Sequence, residues 1–248
     1  MILQISAASY VGCVRENNED MILVEHQFVR NGDYRLSFDI GNQNRLLIAL
    51  ADGMGGHNSG EVASQDVLNN LHYFFNDLPA GFDSSHFNEA IFEWLASINH
   101  IIDSKGRSNP QYHDMGTTLV AVAFYEGEVY WMNCGDSRLY QCVGDVMQQL
   151  TTDHSLSNLI GEREHSSIIT NCIGGGCRTS FIDIMRFTSD VQPGDTLLLC
   201  SDGLTDMISN SEIRQLLKDG ADAKQLCDAA IAAGGYDNVS ASVIRIEE

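Results

Sequence analysis

The sequence predicts an α+β fold of stacked antiparallel sheets covered by helices. Blocks of several short strand-like segments alternate with pairs of helix-like segments, not with single helices in a βαβ rhythm. Successive strand candidates are separated by short turns such as Glu126-Gly127 and Gly144-Asp145, the signature of antiparallel neighbours. The chain has 248 residues with only 3 prolines, no internal repeat and no Pro- or Ser-rich linker, so one domain spanning 1–248 is expected.

The elements follow in order. "QISAASYVG" alternates loosely, as a first strand would. "MILVEHQFV" and "YRLSFDIG" read as a strand pair joined through "RNGD" at 30–33. "RLLIALAD" reads as a buried strand. Residues 60–75 place Val62, Ala63, Val67, Leu68, Leu71 and Phe74 at helical spacing. Residues 84–103 do likewise with Phe87, Ile91, Trp94, Leu95, Ile98 and Ile102, and both stripes are core faces. The strands "TTLVAVAFY", "EVYWMNCG", "SRLYQCV" and "VMQQLT" form an expected antiparallel meander. Residues 152–180 are irregular and glycine-rich. Strands return at "FIDIMRF" and "DTLLLCSD", helices fit 210–218 and 222–233, and "NVSASVIRI" is the last strand.

Composition narrows the function. The chain carries 14 basic and 34 acidic residues, a formal net charge of -20. Such a surface repels nucleic acid and anionic lipid, so neither is an expected partner. A phosphate-ester substrate would need positive charge supplied locally, and bound cations are the obvious source. The N-terminal apolar run is broken by Gln4 and Ser6 without a basic segment before it, unlike a signal peptide, and no apolar stretch is long enough to span a bilayer. The 7 cysteines are irregularly spaced and read as reduced thiols of a cytoplasmic protein.

Acidic residues cluster at strand ends. Asp52 closes "LIALAD" before Gly53. Asp202 closes "TLLLCSD" before Gly203. Asp237 precedes the last strand, Asp136 lies between two meander strands, and Glu19-Asp20 opens the second strand. One Asp-Gly alone is ordinary turn chemistry, and Asp195 in "QPGDTLLL" is read that way. Several carboxylates gathered together would repel one another unless a cation sits among them. Oxygen donors without histidine or cysteine suit Mg²⁺ or Mn²⁺ better than zinc. A neighbouring glycine lets a backbone carbonyl approach an ion. Spacing alone leaves open which of these aspartates meet.

The order of motifs is more specific. "GCVRENNED" (12–20), "ALADGMGGHNSGEVAS" (49–64), "MGTTLVA" (115–121), "NCGDSRLY" (133–140), "LTTDHSL" (150–156), "LLLCSDGLTD" (197–206) and "GGYDNVSASVI" (234–244) appear in the family order of the metal-dependent protein serine/threonine phosphatases of type 2C, the PPM family. The chain resembles that family, in its bacterial form, over nearly its whole length. The resemblance implies a four-layer α-β-β-α sandwich, two antiparallel sheets between helix pairs, with a metal site at one end. It implies two Mn²⁺ or Mg²⁺ ions, with Asp52 bridging both, the Gly53 carbonyl on one, and Asp202 and Asp237 on the other. Glu19 and Asp20 would act through metal-bound waters, and Asp136 with Asp202 would hold a weaker third ion. Arg15 matches the arginine that grips the substrate phosphate, a task suited to a guanidinium fork. A water bridging the two ions, about 3.5–4 Å apart, would attack phosphorus.

The same resemblance implies phosphoprotein substrates and a cognate Ser/Thr kinase as the opposing partner, and a monomer is expected. Many relatives have a histidine, the proposed general acid, where this chain has Met54. Methionine cannot donate a proton, so a metal-bound water is the expected proton source, with His57 left to structure. Ser59 or Asn58 is the expected cap of the first helix. Residues 152–180 match the region before and within a flap, here shortened, and His154 and His165 within it read as structural. Two rival readings compete with this one. "CIGGGCRT" has the Cys-x5-Arg spacing of cysteine-dependent phosphatases, with Cys172 as nucleophile and Arg178 as cradle, but Asn171 precedes the cysteine where that family has histidine. A non-catalytic regulator of the same fold would be expected to lack metal aspartates that this chain retains.

Overall fold

The computed structural model describes residues 1–41, 44–55, 59–161 and 168–248. The chain begins with β1 (Ile2–Tyr10), β2 (Met21–Val24), β3 (Gln27–Val29), β4 (Gly32–Asp39), β5 (Arg45–Ala51) and the two-residue β6 (Gly53–Met54). Helices α1 (Ser59–Asp77) and α2 (Ser84–Ser108) follow. Then come β7 (Gly116–Thr117), β8 (Leu119–Tyr125), β9 (Glu128–Cys134), β10 (Arg138–Val143), β11 (Val146–Gln149), α3 (Leu156–Ile160), β12 (Ile173–Gly174) and β13 (Asp183–Arg186). The chain closes with β14 (Thr196–Cys200), α4 (Asp202–Thr205), α5 (Asn210–Lys218), α6 (Ala223–Ala232) and β15 (Val239–Glu247).

Among the described residues the strands form two antiparallel six-stranded sheets, ordered β11-β10-β14-β15-β1-β4 and β13-β9-β8-β5-β2-β3. A small ladder, β12-β7-β6, lies where β5 and β8 of the second sheet continue into β6 and β7. The period-2 alternation of strand side chains explains the layering. Leu46, Ile48 and Leu50 of β5 point between the sheets with Val120 and Val122 of β8 and Leu197 and Leu199 of β14. Leu47, Ala49 and Ala51 of the same strand point outward, under Val67, Leu71, Ile91 and Ile98 of α1 and α2. On the far side, Leu198, Ala241 and Val243 pack against Ile213 and Leu217 of α5 and Leu226 and Ala230 of α6. The four-layer α-β-β-α sandwich is therefore present, and strands buried on both faces read as unbroken apolar runs. Helix α6 starts on a capping box between Asp222 and Gln225. Among the described residues no helix is long and apolar enough to cross a membrane.

Two expected pairings are corrected. β3 pairs with β2, whereas β4 lies in the other sheet against β1, from Ile2↔Asp39 to Ser9↔Gly32. The true hairpin turn is at Glu25-His26, where Glu25 adopts φ 58°. Positive φ on glutamate is uncommon, so nothing in "VEHQF" advertises a turn, while "RNGD" advertises one and instead carries the chain between sheets. Arg30 anchors that crossing by donating to the Asp20 carbonyl, Glu61 and Ser64. The expected meander also divides. β8 and β9 pair in one sheet, β10 and β11 in the other, and Gly135-Asp136-Ser137 is the crossover. Period-2 patterning is identical in both arrangements and cannot tell them apart.

Candidate metal centre and active site

The antiparallel registers bring the expected acidic residues to one end of the sandwich. Met21 of β2 pairs with Ala51 of β5, which places Asp20 beside Asp52. Tyr10 pairs with Val239, and Cys200 pairs with both Arg138 and Ala241. The 11–20 loop, Asp136, Asp202 and Asp237 thus leave their strands at the same end of the sandwich.

Asp52 is held through its backbone. Its N–H donates to Thr118 Oγ1 at 3.1 Å. Its carbonyl accepts from the Thr118 N–H at 2.9 Å and from Thr117 Oγ1 at 2.8 Å. The Thr118 hydroxyl is also 2.7 Å from Ser137 Oγ, which ties this loop to Asp136. Gly53 stands where the chain has no room: a Cβ there would lie 2.2 Å from the Gly60 carbonyl oxygen and 2.6 Å from that of Glu19. Glycine is required by this close approach, which seats α1 and Glu19 against the Asp52 loop. The Gly60 N–H bonds the Glu19 carboxylate.

Asp20 is fully buried. Ser201 Oγ donates to its Oδ2 at 2.8 Å, and Asn18 Oδ1 accepts its backbone N–H at 3.1 Å. Its Oδ1 is buried without a partner. Asn238 knots the loop to the last strand. Its Oδ1 accepts the Glu19 N–H at 2.8 Å, and its Nδ2 donates to the Val11 and Asn17 carbonyls at 3.0 and 2.9 Å.

The carboxyl groups oppose one another's ionisation. Burial, followed by Asp20 and Asp202, pushes Asp52 well above the usual carboxylate range. Burial also raises Asp20 to about 7, with Asp202 and Asp237 adding to it. Asp136, only 3% exposed, is pushed up to about 7 by burial and then by Asp202 and Asp153. Asp202 rises to about 6, again mainly by burial, with Asp206 and Asp237 adding and a side-chain hydrogen bond to Asp52 opposing. Glu19 is raised by burial against the pull of Arg15. Among the described residues no three carboxylate, imidazole or thiol groups are already drawn together as an ion-binding group. The fit to cations rests instead on the donor set: oxygen only, an orphaned buried Asp20 oxygen, and several carboxyls that a divalent charge would relieve.

Arg15 faces this set, but its partner is Asp237: Nη2 donates to Oδ2 at 2.6 Å. Both expected roles thus meet in one ion pair. The side chains are 56% and 39% exposed, so the pair contributes only about 0–1 kcal/mol and exchanges partners readily.

Other candidates fall elsewhere. His57, Asn58 and His165 lie outside the described residues. Ser59 is the first residue of α1 rather than its cap. Met54 is half-buried in β6. His154 is structural: its Nδ1 accepts the Gly135 N–H at 3.0 Å and its Nε2 faces Asp183 at 3.1 Å. Asp195 closes its turn by accepting the Gln192 N–H at 3.1 Å.

The cysteine rival is corrected. Cys172 is buried, its thiol pushed up by burial and by Cys177. Gly174 N–H donates to Asn99 Oδ1, Gly175 N–H to the Met115 carbonyl and Cys177 N–H to the Gly174 carbonyl. Those three amides are spent inside the fold and do not cradle phosphate.

The supporting residues Thr117, Thr118, Ser201 and Asn238 were not anticipated as functional. Thr117 and Thr118 lie in a quoted motif, and two adjacent threonines opening an apolar strand were the available signal.

Comparison with known proteins gives the family and the fold. Residues 29–235 match a family model described as Protein phosphatase 2C. The chain is 34% identical over 264 residues to protein phosphatase PhpP of Streptococcus pneumoniae, covering 99% of this chain and 98% of that one. It is 32% identical over 213 residues to serine/threonine phosphatase stp of Listeria innocua, covering 80% and 83%. The S. agalactiae serine/threonine phosphatase structure superimposes with a TM-score of 0.83 at 28% identity, over 99% and 100% of the two chains. The catalytic domain of the serine/threonine protein phosphatase PstP, solved with 2 manganese ions, gives 0.74 at 29% identity over 100% of both.

Proposed function

Because the chain belongs to the protein phosphatase 2C family and is a serine/threonine phosphatase of the bacterial kind, we propose that it hydrolyses phosphoserine and phosphothreonine in proteins using two divalent cations held around Asp52. The observation that carries this reading is the gathering of Asp20, Asp52, Asp136 and Asp202 at one end of the sandwich, each raised by burial and by its neighbours. The two manganese ions of the PstP neighbour support a two-ion site.

In this reading Asp52 and the Gly53 carbonyl would help to hold the two ions. Asp202 and Asp237 would hold them too, Glu19 and Asp20 would act through water, and Asp136 with Asp202 would take a third. Bound there, Mn²⁺ or Mg²⁺ supplies Lewis acidity and a water that ionises near neutral pH. The chain does the rest. Thr117 and Thr118 fix the Asp52 backbone, so its carboxylate is preorganised. Arg15 leaves Asp237 and grips two phosphate oxygens with its fork. Hydrolysis is direct, with no phosphoenzyme, and Met54 contributes no proton. We take residues 1–248 as one such domain, 152–180 as a flap-like border of the site, and the protein as a cytoplasmic monomer opposing a Ser/Thr kinase.

The test is hydrolysis of a phosphothreonine peptide by the full chain with Mn²⁺ and with EDTA. Expected are turnover that requires Mn²⁺ and its loss in Asp52→Asn and Asp237→Asn. Full turnover in either variant would sink the assignment.

A further inference from the structure

The cysteine motif that plays no part in phosphate chemistry forms a second, separate feature. Cys172 Sγ and Cys177 Sγ lie 3.3 Å apart. They flank a turn of three consecutive glycines, Gly174, Gly175 and Gly176, with φ of 75°, 58° and 78°. That left-handed run curls the chain back on itself and brings the two thiols together. Asn99 of α2 clamps the turn, accepting the Gly174 N–H at 2.7 Å and donating to the Cys177 carbonyl at 3.1 Å. The environments of the two thiols differ. Cys172 is 3% exposed and packed under the turn, whereas Cys177 is partly open to solvent beside exposed Arg178.

We propose that Cys172 and Cys177 are a redox pair that hydrogen peroxide converts to an intramolecular disulfide, slowing the enzyme reversibly. Cys177, the accessible thiol, attacks one peroxide oxygen as its thiolate. The O–O bond breaks, one water leaves after protonation, and a sulfenic acid remains. The Cys172 sulfur then attacks the Cys177 sulfur. The S–O bond breaks, an S–S bond forms, and the Cys172 proton departs with the second water. Two thiols lose two electrons and the peroxide becomes two waters. A dithiol reverses the bond by exchange.

The lever on the site is short. Forming the bond requires the sulfurs to approach from 3.3 Å to about 2.05 Å. The contraction falls on β12, whose Ile173 pairs with Thr117, and Thr117 pairs in turn with Gly53. Thr117 Oγ1 donates to the Asp52 carbonyl, so a shift in this ladder moves the group that seats Asp52. Displacements of about 1 Å near reacting groups cost up to about 100-fold in rate.

The chemical part stands independently of the phosphatase reading, because it is measured on the thiols. The full chain loaded with Mn²⁺ is treated with hydrogen peroxide, alkylated and mapped by peptide mass. The expected product is a Cys172–Cys177 link that dithiothreitol removes, with p-nitrophenyl phosphate turnover falling about tenfold and recovering on reduction. In Cys172→Ala, Cys177 should stop at a dimedone-trapped sulfenic acid. In Cys177→Ser, Cys172 should resist oxidation. A link from Cys177 to buried Cys134, no link while exposed Cys13 oxidises, or unchanged turnover in fully cross-linked protein would each overturn the proposal.

Discussion

Removing one carboxylate should make the cation-free protein more stable, and the gain should depend on pH in a defined way. Asp136 is 3% exposed, and its pKa rises from 3.8 to about 7, chiefly through burial. A carboxyl whose folded pKa lies above its unfolded value stabilises the fold when protonated. That contribution is complete below the unfolded pKa and is lost as pH rises through the folded one. At pH 8 the group is ionised in both states, and its cost is about 3 pKa units, or about 4 kcal/mol, relative to a neutral group of the same shape. At pH 5 the folded state is protonated and only the unfolded state is ionised, so the cost shrinks to about 1.5 kcal/mol. Asp136→Asn supplies the neutral isostere. In EDTA at pH 8 it should raise stability by about 2–4 kcal/mol, allowing for imperfect hydrogen bonding by the amide. For a chain of this size that is roughly 4–16 °C in Tm. At pH 5 the gain should fall below about half. Urea titrations of both proteins across this pH range measure it. An equal gain at both pH values, or a loss at pH 8, would show that Asp136 is not a buried charge opposed by its neighbours.

Wild-type protein in EDTA should itself lose stability from pH 5 to pH 8, because Asp20, Asp136 and Asp202 titrate in the fold near 6 to 7. Added Mn²⁺ should restore it as the logarithm of its concentration, readable by thermal scans. Arg15→Ala should reduce kcat/KM on a phosphopeptide about 10- to 100-fold, mostly through KM, as expected for a lost, largely exposed guanidinium fork on phosphate. Thr118→Val removes the acceptor of the Asp52 N–H and the bond to Ser137, and should cost about 1–3 kcal/mol in chemical denaturation together with a marked fall in turnover.

How much of this was legible follows from what each signal measures. Helices were readable because apolar residues at helical spacing have one interpretation: 210–218 was expected and α5 spans Asn210–Lys218. Strands were readable as strands, but not as neighbours. The stretch 21–41 and the meander both failed at a crossover between sheets, where alternation continues unchanged while the partner strand changes. At the first failure the misleading element was turn chemistry, since the tight turn fell on Glu25 and the glycine-bearing segment became the link between layers. The candidate site shows the same division. Asp52, Asp136, Asp202 and Asp237 stood out as acidic residues at strand ends, where a solvated charge needs no explanation singly but does collectively. The residues that hold them did not stand out, because Thr118, Ser201 and Asn238 act through single hydrogen bonds to sequence-distant groups. Asn238 reaches Glu19 across 219 positions. Such a bond exists only once the registers of β1 against β15 and β2 against β5 are fixed, and those registers are set by the core between the sheets. The apolar core thus positions the carboxylates, and the buried hydroxyls and amides hold the charge at the end of the sandwich, as far as the orphaned oxygen of Asp20.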